Sequence, residues 1–150
     1  MATMDVKEII KRAAAEEEKA HKFYTNALKW VKDEPSRIWL KELAAEELKH
    51  KEMLQKFDVS KIKQFKPTKI HDLHITEYLV DKDISEVKDF QDVLVVAMKK
   101  EQKAYHFYVG MAKSTDNPDI KKLCKILAQE ELKHKHKLEQ YYDDIIFRED

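Results

Sequence analysis

The sequence predicts an all-α protein, a four-helix bundle with one long crossover, and three observations carry that prediction. A single Gly and three Pro in 150 residues, with Glu, Lys, Ala and Leu abundant, suit long helices and argue against a sheet with many turns. Four segments carry seam residues at alternating steps of three and four, the period of a helix face turned toward partners. The second half of the chain also repeats the first at an offset of 84 residues. A chain of this length forms one domain, residues 1–150, and can bury a substantial core. Two helix hairpins, about 5–57 and about 85–142, are joined by a crossover of about 58–84.

Asp5 followed by Glu8 reads as a capping-box-like start for the first helix. Its seam is Ile10, Ala13, Glu17, Ala20, Tyr24, Ala27 and Val31, and it ends near Asp33-Glu34-Pro35. Pro35 suits the first turn of the second helix, whose seam is Leu40, Leu43, Glu47, His50, Leu54 and Phe57. The crossover is too long for a tight turn and must run the length of the bundle, with a short helix expected near Ile75 to Val80. Ser85 is the expected cap of the third helix, with the seam Leu94, Ala97, Glu101, Ala104, Tyr108 and Met111. Asn117-Pro118 marks the start of the fourth, with Cys124, Leu127, Glu131, His134, Leu138 and Tyr141 in its seam. Beyond Tyr142, an acidic tail carries no structural expectation.

Charged residues make up 39% of the chain and sum to zero net charge, with Lys and Glu interleaved. That pattern describes solvated helix faces, not a basic track for nucleic acid. The lone Cys124 excludes an internal disulfide or a cysteine-based cluster, and reads as a small core residue. No apolar run approaches the roughly 20 residues that cross a bilayer, and no signal-peptide core is present. A cytoplasmic, reducing setting with no membrane contact is the expectation.

The repeated stretch is Leu43-Ala44-Ala45-Glu46-Glu47-Leu48-Lys49-His50-Lys51, matched by Leu127-Ala128-Gln129-Glu130-Glu131-Leu132-Lys133-His134-Lys135. Each copy holds Glu-x-x-His, which sets a carboxylate and an imidazole on one helix face, one turn apart. Glu17 and Glu101 repeat in the same register, each seven residues before a tyrosine, Tyr24 and Tyr108. Four carboxylates and two imidazoles therefore share the buried seams, which offer no Lys or Arg to neutralise them. Either two divalent cations balance the glutamates, or the acids are protonated and hydrogen-bonded to one another with strongly raised pKa values. Mixed carboxylate and imidazole donors suit iron or manganese, whereas structural zinc favours thiolates.

Glu17, Glu47-x-x-His50, Glu101 and Glu131-x-x-His134 resemble the ligand set of ferritin-like di-iron carboxylate proteins. The spacing and the Phe-Tyr pairs resemble the rubrerythrin branch, from about residue 6 to 142. The resemblance implies a ferritin-like bundle with two iron ions, manganese being possible. It implies that Glu47 and Glu131 cap or chelate one metal each, beside His50 and His134, while Glu17 and Glu101 bridge or flank the pair. Tyr24 and Tyr108 would hold carboxylates in orientation, or serve as core residues with satisfied hydroxyls. Rubrerythrins usually carry a further Glu one turn after the third-helix ligand, where this chain has Ala104, and the four-cysteine rubredoxin-type domain is missing.

The implied activity is oxidoreductase chemistry on peroxide or dioxygen, as peroxide reduction or as ferroxidase, in the setting of oxidative stress. The alternative is iron binding or handling without significant turnover. Electrons would come from a separate protein such as a rubredoxin or from ferrous iron, and a homodimer is expected. Glu16, Glu18, Glu46 and Glu130 fall off the seam and read as surface residues, as do His21, His106 and His136. His71-x-x-His74 has ligand spacing without repeated acids around it.

Overall fold

The structure, a computed structural model, describes residues 6–56 and 72–148. Its four long helices are α1 (Val6–Ala27), α2 (Glu34–Gln55), α3 (Phe90–Lys113) and α4 (Pro118–Arg148), and all regular structure among the described residues is helical. α1 packs mainly on α2 and α3 on α4, while α1 and α3 bring the two hairpins together. This is the all-α four-helix bundle that the seams predict, in the ferritin-like form that the resemblance implies. The cap expected at Asp5, the seam residue Phe57 and most of the crossover, including His71, lie outside the described residues.

Local chemistry sets the helix ends. Asp33 caps α2 by accepting from the Ser36 amide at 3.0 Å, with Pro35 in the first turn. Arg37 donates to the carbonyls of Leu28 and Val31 at 2.7 and 2.9 Å, which ties the link between α1 and α2 to the start of α2. α1 itself stops at Ala27 and tightens into a 3-10 turn over Leu28–Trp30, earlier than the sequence suggests. α3 begins at Phe90, not after Ser85. The Asp89 carboxylate accepts from the Asp92 amide at 2.9 Å, whereas the Ser85 amide is held by Asp83 in a separate 3-10 turn, Ile84–Glu86. Asn117 caps α4 as expected, accepting from the amides of Asp119 and Ile120 at 3.0 and 3.1 Å. α4 then continues through Arg148, so the tail past Tyr142 is largely helical.

The core is divided. One apolar cluster contains Leu40, Leu43, Leu94, Met98 and Leu138; another contains Ala13, Leu54, Leu123 and Leu127. Tyr24 belongs to the first cluster and Tyr108 to the second, and both direct their hydroxyls to glutamates of the α1 and α3 seams. Burying these side chains supplies the drive that holds polar residues inside the bundle.

The described end of the crossover is fastened to α4 by a buried polar group. Glu139, with no exposed surface, accepts from the amide and hydroxyl of Thr76 at 2.7 and 2.8 Å. Lys135, 2% exposed, bonds Asp72 and Glu77 at 2.7 and 2.8 Å and lies 3.6 Å from Glu139. Removing one partner strands the others in a poorly solvated place. Glu139→Ala is expected to lower the unfolding free energy by about 3 kcal/mol in denaturant titration. A loss below about 0.5 kcal/mol would show that the strap contributes nothing.

Candidate metal centre

Each long helix turns its seam acid inward at the same level. Glu17 and Glu101 are 2% exposed, Glu47, Glu131 and His134 1%, and His50 6%. His50 Nδ1 lies 3.4 Å from Glu17 Oε2 and 3.3 Å from Glu131 Oε1. His134 Nδ1 lies 2.7 Å from Glu47 Oε1 and 3.6 Å from both Glu101 Oε1 and Glu131 Oε2. The two imidazoles stack with centroids 5.7 Å apart and planes 13° from parallel. All six side chains singled out by the repeat thus meet in one layer.

The tyrosines act across the hairpins. Tyr24 on α1 donates to Glu101 on α3 at 2.5 Å, and Tyr108 on α3 donates to Glu17 on α1 at 2.5 Å. Each fixes the acid of the opposite hairpin, an exchange that the 84-residue repeat makes symmetric. Burial first, and then the negative charge on Glu101 or Glu17, pushes both phenols well above their usual range. They therefore remain donors at neutral pH.

Without metal the layer balances its charge with protons. Burial opposes ionisation of Glu17, but His50 and Glu47 beside it, helped by Tyr108, hold its carboxyl down at about 2. Burial also opposes ionisation of Glu101, and Glu131 and His134 bring it below the usual carboxylate range. Burial and then the charge on Glu101 push Glu47 and Glu131 well above that range. Burial disfavours both imidazolium forms, but Glu101 raises His134 well above its ordinary value and Glu17 raises His50. The surroundings thus push Glu17 and Glu101 toward the carboxylate, Glu47 and Glu131 toward the neutral acid, and both histidines toward imidazolium.

The layer is nevertheless poorly satisfied as a hydrogen-bond network. Glu17 Oε2, Glu47 Oε1, Glu101 Oε2, both oxygens of Glu131 and the Nδ1 atoms of His50 and His134 are buried without a hydrogen-bond partner. Atoms this close, yet not aligned to bond one another, suit ions placed between them. They fall into two groups whose ligand atoms lie within 4.8 Å of each other: Glu17, Glu47, His50 and Glu131, then Glu47, Glu101, Glu131 and His134. Oxygen and imidazole donors of this kind fit iron or manganese. Glu47 and Glu131 belong to both groups, while Glu17 and Glu101 each belong to one. The resemblance has Glu17 and Glu101 bridge or flank the pair; membership of one group each fits the flanking role.

One neighbour escapes the seam rule. Glu46, expected at the surface, is half-buried and reaches across from α2 to the outer Nε2 of His134 on α4. The His134 contact lowers the pKa of Glu46. A carboxylate there fixes the ring so that Nδ1 points inward. Its repeat mate Glu130 instead pairs with Lys133 at 3.1 Å, so the two histidines differ in support. Glu16 and Glu18, expected at the surface, are likewise half-buried and pair with Lys19 and Lys51 at the edge of the bundle. His21 is half-buried against the Ala44 carbonyl at 2.9 Å, and Cys124 is buried and free. Asp72, His74 and Glu77 form a further acidic set on the crossover, whose carboxylates Lys135 already engages.

Comparison with known proteins agrees with this geometry. The family model described as Rubrerythrin matches residues 8–142. A hypothetical protein from Pyrococcus furiosus is similar in structure, with 28% identity, a TM-score of 0.67 and coverage of 95% of this chain and 91% of that one. CopM in its Cu(I)-bound form shares the fold, at 12% identity and a TM-score of 0.62 over 94% of this chain and 97% of its own. No curated protein matches the sequence at a significant level. No described helix is long and apolar enough to cross a membrane.

The charge pattern predicts an ordering of two conservative variants of the metal-free protein. Glu47→Gln replaces a neutral acid by a neutral amide and should shift the melting midpoint by no more than about 3 °C. Tyr108→Phe leaves an ionised, buried Glu17 oxygen without its donor and should cost about 2 kcal/mol. Calorimetric melts giving the opposite order would contradict the assigned protonation.

Proposed function

The chain belongs to the rubrerythrin family, and from that membership we propose that its buried layer holds two iron ions and that the protein is a non-haem di-iron oxidoreductase acting on peroxide or dioxygen. The observation that supports this most strongly is the set of orphaned ligand atoms, divided between two groups that share two carboxylates. Glu47 and Glu131 would bridge, Glu17 and His50 would complete one position, and Glu101 and His134 the other. A ferrous pair held there would supply the two electrons that, with two protons, reduce hydrogen peroxide to two waters.

The chain's own groups prepare the site for that chemistry. Tyr24 and Tyr108 hold the terminal carboxylates in orientation, and Glu46 holds the His134 ring. The apolar clusters restrict bulk water. Among the alternatives, manganese fits the same donors. The Cu(I) recorded for CopM prefers sulfur ligands, and neither group here contains one. We expect re-reduction by a separate donor such as a rubredoxin or by ferrous iron itself. We expect a cytoplasmic homodimer.

Repeated turnover separates this reading from iron binding alone. Anaerobic, ferrous-loaded protein mixed with peroxide and a reductant should oxidise quickly over many cycles; a single slow oxidation would leave iron handling as the function. Metal uptake must also displace protons from Glu47, Glu131 and both imidazoles, so affinity should tighten as pH rises. Calorimetric titration in buffers of different ionisation enthalpy should register proton release, and its absence would contradict the ligand set. Glu46→Gln should weaken metal binding by about 10-fold or more without loss of fold, as measured by equilibrium titration.

A further inference from the structure

The metal layer is walled on one side and open on the other. On the α2 and α4 side the stacked rings of His50 and His134 close it. A groove of about 500 Å³ outside them is lined by both rings and by Glu46, Glu130 and lysines, but by none of the four seam glutamates. On the α1 and α3 side lies a second cavity, of about 300 Å³, lined by Glu17, Glu47 and Glu131. These three side chains are 98% or more buried and carry oxygens without hydrogen-bond partners. The walls are Ala20, Ala104 and Phe107. Ala20 and Ala104 are repeat mates, each one turn after a seam acid, and a larger side chain at either would project over the glutamates.

Two of the three lysines at the mouth are paired with acids. Lys19 pairs with Glu16 at 3.4 Å, Lys103 with Asp81 at 3.1 Å, and Lys100 sits 5.1 Å from the centre of the Phe23 ring. The small walls at Ala20 and Ala104 make the opening select by size.

We propose that Ala20 and Ala104 set the bore of the ligand entrance to the metal pair, and that this entrance discriminates by size, admitting nitric oxide, dioxygen, hydrogen peroxide and compact alkyl hydroperoxides. The proposal rests on the di-iron reading and deepens it by naming the class of ligand and the residues that discriminate.

The test uses nitric oxide, a small neutral ferrous ligand followed by absorbance in stopped flow. Ala104→Leu and Ala20→Leu should each slow its association by about 10-fold while ferrous stoichiometry stays that of the parent. Met53→Trp, in the opposite groove, should leave the rate unchanged, and tert-butyl hydroperoxide should suffer more than hydrogen peroxide in the leucine variants. Unchanged nitric oxide rates in both leucine variants, or slowing by Met53→Trp instead, would overturn the proposal. Ala104→Val, a smaller step, takes the place of a leucine variant that fails to fold. If the parent binds no ferrous iron, the di-iron reading fails, and xenon-pressurised crystals then decide the aperture. Xenon between Ala20 and Ala104 in the parent and absent from Ala104→Leu would support an open bore; no xenon in the parent would refute it.

Discussion

Six ionisable side chains buried in one layer must neutralise one another or be neutralised by something else. Burying a single unpaired carboxylate costs several kcal/mol, and four in van der Waals reach of each other are worse. Protons offset part of this: the surroundings favour the carboxylates of Glu17 and Glu101 and the imidazolium forms of both histidines, and favour the neutral acids of Glu47 and Glu131. The solution is incomplete, because seven buried donor or acceptor atoms of this layer still lack a hydrogen-bond partner. A structure that tolerates such a deficit is one in which another occupant satisfies it. The apolar clusters and the capped helix ends are what make that deficit tolerable.

The internal repeat explains why the layer is nearly symmetric and where it is not. Tyr24 and Tyr108 reach across to each other's acids, so each hairpin is completed by the other. Neither hairpin alone places all the ligands. The symmetry breaks at Glu46, which supports His134, while Glu130 turns to Lys133. It breaks again at the crossover, where Lys135 and Glu139 are buried against Thr76 and Asp72. The unequal support gives the two histidines different surroundings within one repeated scaffold.

Much of this was legible in the sequence because it is written in helical spacing. Polar residues at seam positions of four helices, repeated at 84, identify Glu17, Glu47, His50, Glu101, Glu131 and His134 without coordinates. Tyr24 and Tyr108 follow from the same periodicity, but the partner of each does not, since reaching the opposite hairpin depends on how the helices face. Glu46 was missed for a related reason: it lies one residue off the seam, and only its reach between helices brings it to His134. The doubled acids, Glu46-Glu47 and Glu130-Glu131, were the available signal. Ser85 looked like a helix cap because capping propensity is local, whereas Asp83 and Asp89 compete for the same backbone. Bridging and terminal roles depend on which oxygens are shared in space, and spacing along one helix is silent on that.

Two cations between Glu47 and Glu131 are the centre of this reading. Crystals of protein loaded with ferrous iron under anaerobic conditions, measured on both sides of the iron absorption edge, test it directly. Two anomalous peaks about 3.5–4 Å apart are expected, one near His50 and one near His134. An empty layer under saturating iron, or a lone peak away from these residues, would contradict it.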